Sequence, residues 1–323
     1  MRRCLALSAW LFLVLVTSAD EHARRQEYLA ELHRILPRSA AWETWLEESD
    51  ELPPDFARLP GVPGLPDPLR FASGQPVTTP AEWTLRRAEL IELFQRYIIG
   101  SVPPPPDNVR VVESQTYREP GAHREEVTLA FGPEHRARLR LEILRPPGSG
   151  PFPVFLTQYN HRRWALIAVS RGYLACVYAG ADARDDTDPW RNLWPAQDWT
   201  KLTRRAWAAS RCVDYLETLP EADARRIALT GHSRNGKTSL IAAALDERIA
   251  AVISSSSGAG GACPWRCFSE AQFGEGIELI TRNFPDWLHP RLRFFVGRED
   301  RLPIDQHELV ACIAPGRCSS RRR

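Results

Sequence analysis

The stretch RIALTGHSRNGKTSL, residues 226–240, admits two readings. Gly231 to Thr238 fit G-x-x-x-x-G-K-[ST], the phosphate-binding P-loop. The same residues fit a nucleophile elbow: an apolar strand, a sharp Gly-flanked turn with Ser233 at its tip, then a helix. Both readings need a strand before and a helix after, so the rest of the chain decides.

Around this stretch the chain alternates strand and helix. PFPVFLTQYN and YLACVYAG are continuous apolar runs, as expected of strands buried on both faces. WTKLTRRAWAASRCVDYLETL reads as an amphipathic helix, RRIALTG as a buried strand, KTSLIAAALDER as a helix and IAAVISSSS as a strand. NVRVVESQTY, REEVTLAF and RLRLEILRP alternate apolar and polar residues and predict antiparallel strands ahead of them. Such alternation predicts an α/β fold with a parallel sheet covered by helices. Ser233 then stands at the carboxyl end of a central strand, where these folds place their sites. A P-loop follows the first strand of its domain and needs an Asp at the end of a neighbouring strand for magnesium. Here several strands precede the motif, and IAAVISSSS ends in serines. The elbow is therefore the reading adopted. It makes Ser233 the nucleophile and aims the Arg234 N–H, at a helix N-terminus, at a developing oxyanion.

Residues 20–108 read as a helical and Pro-rich N-terminal extension. HARRQEYLAELHRIL is amphipathic, and Thr79, Pro80 and Glu82 form a capping-box start for a helix that Gly100 and four prolines end. At the N-terminus Arg2 and Arg3 precede an apolar run from Cys4 to Val16 and the small residues Thr17-Ser18-Ala19. This pattern predicts a signal peptide over 1–19, cleaved after Ala19, and a secreted chain with no membrane segment after cleavage. Six of seven cysteines remain beyond that point, and one to three disulfides are expected in an oxidising route. Cys263 and Cys267 have no second pair or His cluster beside them, so neither a metal nor another cofactor is expected. Net charge is +2, from 42 basic and 40 acidic side chains, which gives no reason to expect a nucleic-acid partner. Lysine is scarce: only Lys201 and Lys237 occur, and one lies inside the motif.

G-H-S-R-N-G-K resembles the glucuronoyl esterases, carbohydrate esterase family 15, whose elbow reads G-C-S-R-x-G-K. Two further segments are similar to that family. Ser257-Gly258-Ala259-Gly260-Gly261 with Trp265-Arg266 looks like its S-G-x-G-G…W-R, and Leu302-Pro303-Ile304-Asp305-Gln306-His307 like its L-P-F-D-x-H. The resemblance covers roughly residues 80–315. It implies an alpha/beta-hydrolase three-layer sandwich over 109–315 and a carbohydrate-ester substrate, the glucuronic acid esters that join xylan to lignin. It also implies Ser233 as nucleophile, Arg234 as oxyanion stabiliser and Lys237 as a ligand for sugar hydroxyls.

The departures matter as much. His232 stands where the family has Cys, and Ser256 where many members carry the triad Glu. The family's triad His lies later than this chain reaches; after IAP come only GRCSSRRR, so 316–323 read as an atypical basic tail and the hydrolase domain as incomplete at its C-terminus. A triad in the order Ser, acid, His needs two more strand ends after IAAVISSSS, and only RLRFFVG, 291–297, offers another strand. Asp300 and His307 are the remaining candidates for acid and base. Three functions stay open: a glucuronoyl-esterase-type serine esterase, an inactive carbohydrate-binding relative or truncated fragment, and an acetylxylan-type esterase.

Overall fold

The computed structural model describes residues 20–267 and 275–315, and the backbone of 317–321. The signal-peptide expectation for 1–19 lies outside the described residues.

Strands β1 (Arg110–Glu119), β2 (Ala122–Phe131) and β3 (Ala137–Arg145) form the predicted antiparallel meander. β4 (Phe152–Gln158) and β5 (Leu174–Tyr178) follow, then a two-residue ladder of β6 (Gly180–Ala181) with β7 (Arg184–Asp185). β8 (Ala222–His232), β9 (Ala251–Ser255) and β10 (Arg317–Arg321) complete the sheet. Its order is β1-β2-β3-β5-β4-β8-β9-β10, parallel from β5 to β10. The chain leaves β4 for β5 on one side and leaves β8 for β9 on the other. The boundary between β4 and β8 is thus the switch point, the place where such sheets bind ligands, beyond the carboxyl ends of the strands.

β5 shows why its sequence is apolar without a break. Leu174, Cys176 and Tyr178 join the main core, while Ala175 and Val177 join a second cluster with Ala165 and Val169. Side chains alternate between faces, so both faces of this strand are covered. The covering helices, in chain order, are α1 (20–35), α2 (Ala40–Ser49), α3 (Pro80–Phe94), α4 (Arg162–Val169), α5 (Trp190–Leu193), α6 (Lys201–Leu216), α7 (Arg234–Leu245), α8 (Ile277–Asn283) and α9 (Gln306–Ala311). α3 opens on the expected capping box: Thr79 Oγ1 accepts the Glu82 N–H at 3.2 Å, and Glu82 Oε2 accepts the Thr79 N–H at 2.9 Å.

Two expectations are corrected. RLRFFVG is no strand; Pro290–Phe295 form a 3-10 turn capped by His289. Leu292, Phe294 and Phe295 are buried all the same, and a short apolar run does not by itself distinguish a buried strand from a buried turn. Residues 317–321 of the basic tail run as backbone parallel to β9. Cys176, Cys212, Cys267 and Cys312 form no disulfide; Cys212 Sγ instead donates to the Ala208 carbonyl. Residues 20–108, moreover, share one core with the sheet and its helices, since Leu32, Trp42, Phe56, Leu90 and Phe94 belong to the same apolar cluster as Phe294 and Leu309.

Candidate active site

β8 ends and α7 begins at Ser233, whose φ of 56° and ψ of −126° lie in a region that L-residues rarely adopt. The turn is tight because strand and helix nearly touch. A Cβ on Gly231 would stand 2.3 Å from the Asn235 carbonyl oxygen, and one on Gly236 would stand 3.0 Å from Ser254 Oγ. The Ser233 N–H donates to the Ser255 carbonyl at 2.9 Å, which anchors the tip to β9. The Ser233 hydroxyl is partly exposed and makes no hydrogen bond to any described residue.

Arg234 follows directly. Its guanidinium pairs with Asp182 at 3.0 Å and lies 4.9 Å from the centroid of the Trp287 ring, itself stacked on Phe284. Asp182 also takes Arg205, so one carboxylate holds two guanidinium groups at the rim of the site.

Lys237, one turn into α7, is 2% exposed. Its Nζ donates to the Ser257 and Ala259 carbonyls at 2.5 and 2.6 Å and pairs with Glu275 at 3.6 Å. Burial lowers its pKa, and Glu275 opposes that shift. Two of the ammonium donors are thus committed to carbonyls of the loop after β9, and Glu275 pairs with the same group.

Asp300 and His307 are not joined to Ser233 or to each other. His307 Nε2 donates to the Pro66 carbonyl at 2.6 Å, and the Asp300 carboxylate pairs with Arg301 at 3.3 Å, beside Gly61. Both turn toward the N-terminal extension because α9 and the turn before it pack there. Among the described residues no three His, Cys, Asp or Glu side chains are grouped to hold a metal ion.

The sequence reading missed His161. It sits in the turn after β4 (Tyr159–His161), across the switch point from the elbow. Its Nε2 lies 3.1 Å from the His232 backbone nitrogen and 3.2 Å from Asn235 Nδ2. The available signal was positional: a His at the end of a predicted central strand, in the loop that must face Ser233. Burial first, and then the His232 ring, push its pKa from 6.5 down to about 4. A folded pKa below the unfolded one means that His161 stabilises the fold fully above about pH 6.5. That contribution is lost as pH falls toward about 4. The expected slope is a fraction of about 1.4 kcal/mol per pH unit, because the ring is partly exposed. Urea midpoints at pH 7 and pH 4.5 test this: the His161→Gln variant should lose less stability than the wild type over that interval, and equal losses would refute it.

The chain matches the family model "Glucuronyl esterase, fungi" over residues 132–318. It is 31% identical to the carbohydrate esterase MZ0003 of an unknown prokaryotic organism, over 81% of this chain and 73% of that protein. It is also 31% identical to 4-O-methyl-glucuronoyl methylesterase 1 of Phanerochaete chrysosporium, over 78% of this chain. It spans 55% of the length of that enzyme. Among solved structures, a promiscuous esterase of carbohydrate esterase family 15 from a marine bacterial metagenome superposes with a TM-score of 0.70 at 29% identity, covering 82% of this chain and 80% of that one.

Proposed function

Because the chain belongs to the glucuronyl esterase family, carbohydrate esterase family 15, we propose that it is a serine carboxylic-ester hydrolase of glucuronic acid esters, such as those joining xylan to lignin. The observation that carries the reading is the strained Ser233 at the switch point, with Arg234 beside it. In this reading Ser233 Oγ attacks the ester carbonyl and the alcohol leaves. Water then releases the acyl group as the uronic acid. The Arg234 N–H and guanidinium stabilise the oxyanion, a role worth about 10²–10³-fold in rate for a single donor. Lys237 braces the loop after β9 and serves as the sugar ligand once Glu275 gives way. A signal peptide over 1–19 would deliver the chain to the polysaccharide outside the cell.

One observation favours a second reading. No imidazole among the described residues hydrogen-bonds the Ser233 hydroxyl, and a serine without a base is a weak nucleophile. The alternative is a carbohydrate-binding relative without turnover. The two are separated by fluorophosphonate labelling and by hydrolysis of methyl 4-O-methyl-glucuronate, with acetylated xylan as competing ester. Adducts on Ser233 with preference for the glucuronate ester are expected. A folded chain with neither label nor hydrolysis would leave the binding reading, and a preference for acetyl esters would move the substrate class to acetylxylan.

A further inference from the structure

We propose that His161 is a positioning residue for Ser233: its Nε2, held as an acceptor in the Nδ1–H tautomer, ties the loop after β4 to both flanks of the elbow. The inference rests on the reading of Ser233 as the nucleophile.

The ladder between β4 and β8 runs only as far as Thr157 beside Thr230. Beyond it, successive N–H groups of β8 still point to alternate sides. The Ser233 N–H goes to β9, through Ser255, so the His232 N–H faces the β4 side with no strand left to receive it. His161 Nε2 receives it, at 3.1 Å. A backbone amide can only donate, so this ring nitrogen carries a lone pair and the proton sits on Nδ1. The same lone pair then requires the Asn235 side chain to present its NH2, which it does at 3.2 Å.

The grip is doubled from the same strand. Gln158, the last residue of β4, donates through Nε2 to the Asn235 carbonyl at 3.3 Å and to Ser239 Oγ at 3.1 Å. Asn235 is therefore held at its carbonyl by Gln158 and at its amide by His161. The imidazole is itself fixed by stacking on Trp164, with centroids 4.3 Å apart and planes 12° apart. Strained backbone persists only where the surroundings over-determine it. His161 clamps the residue before Ser233 and the residue two after it, and the low basicity of its buried ring keeps the clamp neutral at pH 7.

The test uses the full chain with ring-15N-labelled histidine, together with His161→Leu and His161→Gln. Leu removes the acceptor; Gln offers a carbonyl oxygen in its place. The wild-type ring is expected to show the neutral Nδ1–H tautomer at pH 7, with slowed hydrogen exchange at the His232 amide. That protection should vanish in His161→Leu and return in His161→Gln. Labelling of Ser233 by fluorophosphonate should fall about 10²-fold in His161→Leu, the scale of a 1 Å misplacement, and recover to within about 3-fold of wild type in His161→Gln. A charged or Nε2–H ring at pH 7 would overturn the proposal. So would wild-type labelling and His232 exchange in His161→Leu. Should wild-type Ser233 take no label at all, the esterase reading falls, while the tautomer and the His232 exchange still decide whether the clamp exists.

Discussion

Glu308→Ala is expected to destabilise the fold by about 3–5 kcal/mol, the cost of leaving a buried charge without its partner. Glu308 is wholly buried on α9, and its Oε1 takes Arg86 of α3 at 3.2 Å, a guanidinium only 5% exposed. Its Oε2 accepts the Asp305 N–H at 2.9 Å, closing the capping box of α9. Alanine would strand Arg86 with only the half-exposed Glu89, and would open one half of the capping box. Glu308→Gln keeps volume and an acceptor and should cost about 1 kcal/mol. The pH dependence separates the two forms of the native side chain. Burial raises the Glu308 pKa from 4.5 to about 7 against the pull of Arg86 and Arg266. A raised folded pKa means that its contribution is complete below about pH 4.5 and is lost as pH rises through about 7. The urea midpoint of the wild type should therefore fall relative to that of Glu308→Gln as pH rises from 5 to 8. A Glu308→Ala variant within about 0.5 kcal/mol of wild type would show that Arg86 finds water or Glu89 at no cost.

The same variant should reach the active site. Asp305, seated by Glu308, accepts the Trp265 N–H at 2.7 Å and pairs with Arg266 at 3.0 Å. Trp265 ends the loop whose Ser257 and Ala259 carbonyls hold Lys237. The path runs from the N-terminal extension through α3 and α9 to the helix that carries Ser233. This explains why an apparently separable extension shares the core, and why deleting it should cost activity as well as stability.

Much of this was legible in the sequence, and the reasons are local. Apolar runs of strand length, glycines two before and three after Ser233, and a capping box at Thr79 each specify their structure within a few residues. The two family-like segments, S-G-A-G-G…W-R and L-P-I-D-Q-H, were visible as segments only. That Asp305 of one binds the Trp265 N–H and Arg266 of the other is a long-range contact, which no local pattern encodes. RLRFFVG failed for a related reason: its burial comes from Tyr28 of α1, Trp42 of α2 and Phe56 rather than from neighbouring strands. Asp300 and His307 were paired by chain order alone, and packing turned both toward residues 61–66. His161 went unseen because only the order β5-β4-β8 brings the turn after β4 against the elbow.

Ser233→Gly should abolish esterase activity and make the protein more stable, a combination that few substitutions give. The serine holds φ 56° and ψ −126°, a conformation that costs an L-residue about 1–3 kcal/mol and costs glycine nothing. Glycine loses about 0.5–1 kcal/mol through its freer unfolded chain. The hydroxyl makes no hydrogen bond to a described residue, so none is forfeited. The net expectation is a gain of about 1 kcal/mol, read as a higher urea midpoint at unchanged slope. Ser233→Ala keeps the strained Cβ and should match the wild type within about 0.5 kcal/mol. It therefore isolates the chemistry from the strain. Both variants lack the attacking oxygen, and hydrolysis of methyl 4-O-methyl-glucuronate should fall at least about 10³-fold in each, to what oxyanion stabilisation and binding alone supply. Equal hydrolysis by Ser233→Gly and wild type would remove Ser233 as nucleophile. Lost activity with no gain in stability would mean that the elbow geometry is cheap, and that the clamp from β4 orients Ser233 without having to hold a strained residue in place.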